Sequence, residues 1–479
     1  MKKQHLDKII SLCKRKGFVF PNSEIYGGLK ASYDYGPLGV ELKKLISELW
    51  WKEMTHSHQN IVGLDSAIMV HPDVWEASGH IANFNDPMTD NKDNKKRYRI
   101  DDLLSQQKSK VIDAICSALK IDSTKSDDIY NDMAHALLSN GSKYDGVLEQ
   151  AGVIDPYSGS IGKWTPAIQF NLMFKTDSGP SEKTGKNIYL RPETAQGIFI
   201  NYLLVQQTMR LKVPFGIAQI GKAFRNEIIA RNFIFRTREF EQMEMQYFVH
   251  PSEDVDNMDL WKQKRLDFYL NHLGIKSKNL KFHQHSKDAL AHYAKDAYDI
   301  EYNFPFGWGE VEGIHNRTDF DLKQHESLSG KNMTYFDTKT QEKYHPYIIE
   351  TSTGLNRLFL MVLCEAYFED TDNNRVVLRL PYDLAPIKAV ICPLVKKDGL
   401  PEKAMSVFET LNKEFPCIYD EQGSIGKRYY RQDEAGTPFG ITLDHQTLED
   451  ESVTIRERDS MKQTRVSIDK ISAFIHDNK

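Results

Sequence analysis

Hydrophobic residues near the start of the chain recur at the spacing of a helix. Ile9, Ile10, Leu12 and Cys13 predict a short amphipathic helix. After a glycine-rich irregular stretch, Pro37 stands where a second helix would begin, because proline suits the first helical turn. That helix is supported by an apolar stripe made of Leu38, Leu42, Leu45, Ile46, Leu49 and Trp50.

Two segments in the middle of the chain have the pattern of long strands. They are FGIAQIGKAFRNE (215–227) and REFEQMEMQYFV (238–249), and the short connection between them predicts an antiparallel hairpin. In the second strand, alternation separates a polar face (Phe240, Gln242, Glu244 and Gln246) from an apolar one (Glu241, Met243, Met245 and Tyr247). Buried carboxylates need partners, so the polar face predicts either a salt-bridged sheet edge or a polar cavity.

Changes in composition divide the chain. Residues 86–160 begin with a basic loop and continue as polar, helix-forming sequence, which predicts an insertion, and 251–303 predict a second, helical elaboration. Residues 1–85 and 161–384 predict an α+β domain with an antiparallel sheet flanked by helices. From Ala385 to residue 479, short apolar strands alternate with helical segments, which predicts a separate α/β domain with a partly parallel sheet.

Composition narrows the class of protein. The net charge of −5 argues against a chain coated in positive potential, yet a local nucleic-acid site needs only a basic face. The five cysteines form no CxxC pair, so neither a zinc ribbon nor a disulfide framework is indicated, and a reducing, cytoplasmic location is expected. We expect no membrane association, since no apolar run reaches spanning length. The basic N-terminus leaves a mitochondrial address as the lesser alternative.

Arginines and glutamates converge around the predicted hairpin. Arg225 and Glu227 are two residues apart, so a strand would direct both to one face, while Arg236 and Arg238 flank the return strand. Arginine binds phosphate oxygens in a planar, bidentate way, and carboxylates hold amino groups. A cavity with arginines at one end and glutamates at the other would fit a ligand with phosphates and an ammonium.

Several strings in the sequence resemble a known family. FRNE, the following loop and FRTREFEQME resemble motif 2 of the class II aminoacyl-tRNA synthetases, and ETSTGLNRLF resembles motif 3. From about residue 5 to the end, the chain resembles the homodimeric glycyl-tRNA synthetase family in the order and spacing of its motifs. The strings that carry this resemblance are YDYGPLGVELKK, WEASGHIANFNDPM, RPETAQGIF, GWGEVEGIHNRTDFDL and RYYRQDEAGTPFGITLDHQTLEDESVTIRERD. The resemblance implies activation of glycine by ATP to glycyl-adenylate, then transfer to the 3′ end of tRNA(Gly).

The resemblance also implies an ATP site. Arg225 and Arg357 would be the catalytic arginines, Arg225 on the α-phosphate and Arg357, with Arg236, on the β- and γ-phosphates. Glu227 would accept from the adenine amino group and Phe240 would stack on the ring. Glu310 would help to hold Mg²⁺ bridging the phosphates. The implied ATP set is Arg225, Asn226, Glu227, Arg236, Phe240, Glu310, Val311 and Arg357.

For glycine, the resemblance implies a ring of carboxylates around the ammonium. The implied set is Arg99, Glu193, Glu244, Arg317, Glu350 and Ser352. Three carboxylates around one cation need arginines nearby to balance them. Larger amino acids would be rejected sterically, without an editing domain. Thr351 and Glu312 depart from the family pattern, and we interpret both as tolerated variation.

A group of three histidines raises the question of a metal site. His283, His285 and His292 lie close in sequence, but HxH without a closing acidic or cysteine ligand is a weak metal signal. Surface histidines are the favoured interpretation, and no zinc is expected.

RNA contacts and assembly are implied mainly by the resemblance. It assigns residues 385–479 to anticodon binding, and it suggests tRNA contact for the insertion at 86–160. In the C-terminal segment, cations alternate with aromatic residues that can stack on bases. The predicted RNA contacts are Lys427, Arg428 and Arg431, with Arg456, Arg458 and Arg465 extending the surface. The helix from Leu38 to Trp51 belongs to the motif 1 region, so a homodimer is expected, although its apolar stripe suits packing within one chain equally well.

Two alternatives remain open. A non-catalytic, synthetase-like binding subunit would keep the fold and lose the ATP arginines, whereas Arg225, Arg236 and Arg357 are all present. Another class II specificity, for serine or proline, is disfavoured by RPETAQG and EQME.

Overall fold

The computed structural model describes residues 2–122, 129–139, 141–178, 186–227, 232–286, 290–291 and 293–479. The first elements are α1 (Lys2–Lys16), β1 (Val19–Pro21), β2 (Tyr33–Tyr35), α2 (Pro37–Trp51), β3 (Ile61–Gly63), α3 (Pro72–Ala77) and α4 (His80–Asn83). The prediction that Pro37 opens a helix is confirmed. Leu42, Ile46 and Trp50 of α2 are fully buried in the core of their own chain, so the stripe packs internally.

A small unit with its own hydrophobic core follows. It comprises β4 (Asn85–Asp90), β5 (Arg97–Arg99), α5 (Ile100–Ser105), α6 (Ser109–Leu119), α7 (Ile129–Ser139), α8 (Val147–Gln150) and β6 (Ile168–Asn171). Its core includes Ile115, Met133 and Trp164, and β4 pairs with β6. The packed unit therefore runs past the limit of 160 expected from composition, because β6 closes its sheet.

The largest part of the chain is built around a seven-stranded sheet. Its elements are β7 (Lys175–Ser178), β8 (Lys186–Tyr189), α9 (Ala195–Met209), β9 (Phe215–Phe224), β10 (Glu239–Val249), α10 (Asp254–Asp267), β11 (Leu280–Gln284), β12 (Asp296–Phe304), β13 (Gly307–Thr318), α11 (Phe320–Ser329), β14 (Tyr335–Phe336), β15 (Lys343–Tyr344), β16 (Tyr347–Gly354), α12 (Leu355–Ala366), β17 (Tyr367–Asp370) and β18 (Arg375–Leu378). The strand order is β11-β12-β13-β16-β10-β9-β3. All neighbours are antiparallel except β3 and β9.

The predicted hairpin of β9 and β10 is confirmed, with Glu244 opposite Gln219. On β10, Met243 and Met245 are buried in the core, as the alternation predicts. The helical elaboration expected over 251–303 is only partly correct: α10 is helical, but β11 and β12 join the main sheet. They bury Ile300 and Phe304 on its core face, a contact with distant segments that the local charge pattern does not show.

The C-terminal part forms a second layered unit. Its elements are β19 (Ala389–Pro393), α13 (Leu400–Leu411), β20 (Cys417–Tyr419), α14 (Ile425–Asp433), β21 (Phe439–Leu443), α15 (His445–Asp450), β22 (Ser452–Glu457), β23 (Gln463–Ser467) and α16 (Ile471–Asp477). β19 is parallel to β20 and β21, whereas β22 and β23 are antiparallel, which confirms a partly parallel sheet. Across the described ranges, no helix combines the length and apolarity needed to cross a lipid bilayer.

Candidate active site

One face of the main sheet carries a polar cavity of about 250 Å³. Two neighbouring rows of residues across the strands form its floor. The first row joins Gly313 of β13, Ser352 of β16 and Glu244 of β10. The second joins His315 of β13 to Glu350 of β16. The polar face predicted for β10 is therefore the floor of a cavity and not a sheet edge.

Arginines occupy one end of this cavity. Arg225, Arg236 and Arg357 all line it, although they come from three separate segments. Arg357 Nη1 lies 3.2 Å from Glu310 Oε2, and the Arg225 guanidinium lies 5.3 Å from the centre of the Phe240 ring. β9 ends at Phe224, so Arg225 follows the strand and is fixed by donation to the Pro192 carbonyl. Converging guanidinium groups of this kind suit a polyphosphate.

Three carboxylates occupy the other end. Glu193, Glu244 and Glu350 line the cavity, with Glu244 and Glu350 only 2% and 3% exposed. Glu244 accepts hydrogen bonds from the hydroxyls of Thr194, at 2.6 Å, and Ser352, at 2.8 Å. The end of the cavity is therefore strongly acidic and suits a small cation.

The three carboxyl groups differ in their electrostatic surroundings. Burial opposes ionisation of Glu350, but Arg317 and His315 outweigh it and lower its pKa to about 2. Burial also opposes ionisation of Glu193, yet His80 and Arg317 bring its pKa well below the usual range. For Glu244, burial and the charges of the other two carboxylates raise the pKa to about 8.

Arg317 contributes to the site by holding Glu350. Its Nη1 lies 3.2 Å from both oxygens of Glu350, while Nε and Nη2 bind Asp321 at 2.9 and 3.0 Å. Its guanidinium also lies 3.8 Å from the centre of the Tyr293 ring. Since Arg317 is 2% exposed and fully engaged, it positions the carboxylate ring and balances its charge.

The structure does not bring every predicted residue into the cavity. Arg99 is held by Asp86 at 3.2 Å and Asp101 at 2.7 Å, and it does not line the cavity. Asn226 is also absent from the lining, and its backbone N–H donates to Leu172. The side chain of Val311 is buried in the hydrophobic core, because strand alternation turns it away from the cavity. Glu227, Phe240, Glu310 and Ser352 do line the cavity.

Sequence reasoning missed His80 and His315. His315 Nδ1 lies 2.8 Å from Glu350 Oε2, and burial of the ring is outweighed by that carboxylate, so its pKa is raised. His80 Nε2 lies 3.4 Å from Glu193. A signal for His315 existed, since it precedes Arg317 by two residues and a strand directs both to one face. Gly313 leaves space for the His315 ring, which would lie 2.9 Å from a Cβ at that position.

No group suited to a metal ion, with three or more histidine, cysteine or acidic ligands, is found among the described residues. His283 and His285 lie on β11, where His285 binds Asp299 at 2.8 Å and His283 lies 3.6 Å from Glu301. His292 lies outside the described residues. Glu310 presents a half-exposed carboxylate to the arginine end of the cavity.

The predicted RNA-contacting cations divide into two groups. Lys427 and Arg431 line an open cleft between α1, the β17–β18 hairpin and α14, although Arg431 also binds Asp420 at 2.7 Å. Arg428 is wrong as a surface contact, because it is 3% exposed and donates to the carbonyls of Gly423 and Pro393.

The predicted extension of that surface is wrong for Arg456 and Arg458, whereas the partly exposed Arg465 stays a prediction. Arg456 and Arg458 are each 5% exposed; Arg456 binds Asp433, and Arg458 binds the Gly436 and Leu380 carbonyls. Arg465 is held by Asp444 at 2.5 Å.

Comparison with known proteins agrees with this architecture. Residues 174–367 match the tRNA synthetase class II core domain (G, H, P, S and T), and residues 388–478 match the anticodon binding domain. The prolyl-tRNA synthetase of Giardia lamblia, solved in complex with prolyl-adenylate, has a similar fold, with a TM-score of 0.64 over 98% of this chain and 75% of that chain at 15% identity.

Curated relatives are much more similar in sequence. The glycine–tRNA ligase of Chlorobaculum tepidum is 50% identical over 98% of this chain and 99% of its own length. Those of Treponema denticola and Borrelia hermsii are 50% and 49% identical over 96% and 98% of this chain, and 94% and 96% of their own lengths. The chain therefore belongs to the glycine–tRNA ligase family of the class II tRNA synthetases.

Proposed function

We propose that this chain is a glycine–tRNA ligase that activates glycine with ATP and transfers it to tRNA(Gly). A carboxylate oxygen of glycine attacks the α-phosphorus of ATP, the bond to the pyrophosphate oxygen breaks, and glycyl-adenylate forms. A ribose hydroxyl at the 3′ end of the tRNA then attacks the glycyl carbonyl and AMP leaves. The observation that carries this proposal is one cavity that joins three arginines to three carboxylates, in a chain half identical to glycine–tRNA ligases.

The arginine end supplies positioning and charge neutralisation, which phosphoryl transfer chiefly requires. Arg225 would hold the α-phosphate, where negative charge builds up during attack. Arg236 and Arg357 would hold the β- and γ-phosphates. Phe240 offers a face for the adenine ring, and Glu227 an acceptor for its amino group. All five residues line the same cavity, which supports these roles.

The carboxylate end would bind glycine through its ammonium. Glu193, Glu244 and Glu350 surround that position, and Ser352 fills the space beside Glu244. Buried ion pairs fix Glu350 through Arg317, so the walls cannot move apart without breaking them. A methyl group on the ligand would overpack such a site, which costs about 1–3 kcal/mol.

Mg²⁺ fits the arginine end of the cavity. It prefers oxygen ligands and usually takes only one or two from protein, with phosphates supplying others, so the single half-exposed carboxylate of Glu310 suffices. When bound, the ion would neutralise charge on the phosphates. Glu310 is held in place by Arg357, whose guanidinium also depresses the pKa of that carboxyl group.

The C-terminal unit would bind the anticodon region of tRNA. The exposed cations Lys427 and Arg431, with Tyr430 at 42% exposure, support this proposal. The unit from 85 to 171, with Lys92, Lys95 and Lys96 in its basic loop, is a second proposed tRNA contact. The proposed domain boundaries follow the packed cores. The main unit lies on either side of residues 85–171, and the anticodon unit begins after residue 385.

We further propose a homodimer in the cytoplasm. Ile25, Tyr26, Leu29 and Val40 are 87%, 88%, 53% and 49% exposed; the first three precede α2 in the chain, and Val40 lies on α2, in the motif 1 region. Exposed apolar residues concentrated in one region are typical of protein interfaces. The five cysteines are free thiols, which suits a reducing compartment.

Amino-acid-dependent exchange of pyrophosphate into ATP tests the proposed activity. We expect exchange with glycine alone among the twenty amino acids. Exchange with serine or alanine but not glycine would contradict the specificity. Absence of exchange with every amino acid, in protein shown to be folded, would favour the non-catalytic binding subunit.

A further inference from the structure

Glu244 differs from the other two carboxylates of the acidic end in having no cation of its own. Glu350 has Arg317 at 3.2 Å and His315 at 2.8 Å, and Glu193 has His80 at 3.4 Å. Among the described residues, Glu244 is bonded only by the neutral hydroxyls of Thr194 and Ser352. The position of least compensated charge is therefore Glu244.

The cations nearest to Glu244 are engaged elsewhere. Arg317 binds Glu350 and Asp321 with all three of its nitrogens. Arg191, from the turn before α9, donates to the Lys222 carbonyl at 2.6 Å and the Ser66 carbonyl at 2.8 Å. The groups that face Glu244 from every packed element are Glu193, Thr194 and Arg191 before α9, Gln219 on β9, His315 and Arg317 on β13, Glu350 and Ser352 on β16, and Tyr293.

An ionised carboxylate buried to 2% exposure without a cation is costly, and it faces two further anions here. The cost disappears if the carboxyl group is protonated or if a ligand supplies a cation. Both hydroxyl partners can donate or accept, so the contacts survive in either state. The raised pKa of Glu244 agrees with this geometry.

We propose that, in the empty enzyme near neutral pH, Glu244 holds a proton that the ammonium of glycine displaces, so that binding glycine releases a proton to solvent. The charge balance is simple: the neutral carboxyl group becomes a carboxylate, one proton leaves, and the ammonium takes its place. The net charge of the acidic end is therefore the same before and after glycine binds. This proposal rests on the proposed function, since it requires glycine to occupy the acidic end.

Calorimetry of glycine binding in buffers of different ionisation enthalpy measures the proton count on the whole protein. At pH 7 we expect release of about one proton per glycine, because a group with a pKa near 8 is mostly protonated there. The affinity for glycine should rise by about tenfold per pH unit between pH 6 and 7 and flatten near pH 8. Glycolate, which carries a hydroxyl in place of the ammonium, should release none.

Two matched variants locate the proton. Glu193→Gln should weaken glycine binding and reduce the release without abolishing it, because the lost charge is one of those that raise the pKa of Glu244, whereas Glu244→Gln should abolish the release. No release by the wild type, or undiminished release by Glu244→Gln, would overturn the proposal. If Glu244→Gln fails to bind glycine, infrared difference spectra of the wild type decide: the carbonyl band of a protonated carboxyl group must disappear when glycine binds.

These outcomes are distinguishable from failure of the proposed function. If glycine binds and supports pyrophosphate exchange without releasing a proton, only the proton proposal fails. If glycine neither binds nor supports exchange, the proposed function fails as well.

Discussion

Arg357 Nη1 lies 3.2 Å from Glu310 Oε2, and the same nitrogen donates to the Glu310 backbone carbonyl at 3.0 Å. The first helical turn after β16 is thereby tied to β13, so that a cation and a half-exposed carboxylate meet at one end of the cavity. Phe235 lies under the guanidinium, with its ring centre 4.5 Å away. Arg357 is therefore oriented before any nucleotide arrives, and this lowers the cost of binding a triphosphate.

Replacing Arg357 with alanine should remove adenylate formation without unfolding the protein. Loss of one preorganised donor to developing charge costs about 10²–10³-fold in rate. The side chain is a quarter exposed, so the midpoint of thermal unfolding should change little. Pyrophosphate exchange and calorimetric melting check both points. Arg379→Ala is the matched control, because Arg379 is also bound to an aromatic ring, Phe368, but lies outside the cavity. Normal exchange in Arg357→Ala would show that its assignment to phosphate is wrong.

Lys427 and Arg428 are neighbours in sequence and should respond in opposite ways. Lys427→Glu should lower kcat/KM for tRNA charging and leave pyrophosphate exchange intact, because Lys427 is exposed in the cleft. Arg428→Ala should lower the free energy of unfolding by about 2–4 kcal/mol, since it removes buried donors from two carbonyl groups. Charging assays and denaturant unfolding separate the two effects. A stable Arg428→Ala protein with impaired charging would restore Arg428 to the RNA surface.

Replacement of Glu312 should destabilise the protein strongly. It is 1% exposed and accepts from Arg265 at 2.6 Å and Tyr269 at 2.7 Å, so Glu312→Leu removes the shorter of two ion pairs of the buried Arg265 guanidinium and leaves it with Glu53 at 3.3 Å. We expect a loss of about 3 kcal/mol in the free energy of unfolding. The double variant Glu312→Leu/Arg265→Met removes both charges of this pair and should recover part of that loss, since Glu53 then loses its own contact with Arg265. Equal destabilisation of the single and double variants would argue against the ion pair as the cause.

Unfolding as a function of pH gives a prediction for Glu244. The raised folded-state pKa means that the folded protein keeps a proton that the unfolded chain has lost above about pH 4.3. Stability from this group is therefore present at low pH and decreases as pH rises towards 8, by at most about 1.4 kcal/mol per unit. Glu244→Gln should lack this decrease, and saturating glycine should suppress it in the wild type. Parallel stability curves for the wild type and the variant would contradict it.

The local pattern of residues in the sequence was sufficient to predict the floor of the cavity. Strand alternation placed Phe240, Gln242 and Glu244 on one face, and the motif 2 and motif 3 strings placed Arg225 and Arg357 beside it. The same alternation turns the side chain of Val311 into the core, since its neighbour Glu310 faces the cavity.

Contacts between distant segments were not predictable in the same way. Glu312 looked tolerable because its partner Arg265 lies on α10, far away in sequence. Arg428 looked like an RNA contact because charge in sequence does not reveal which face of a helix is buried. β11 and β12 were missed although they are local in sequence, since β11 pairs with β12 and β12 forms a hairpin with β13.

The structure of the protein with a non-hydrolysable glycyl-adenylate analogue tests the central proposal most directly. The ammonium should lie within hydrogen-bonding distance of Glu244 and Glu350, the phosphate mimic beside Arg225, and the adenine against Phe240. An analogue bound in the reverse orientation, or outside this cavity, would contradict the assignment of the arginine end to phosphate and the acidic end to glycine.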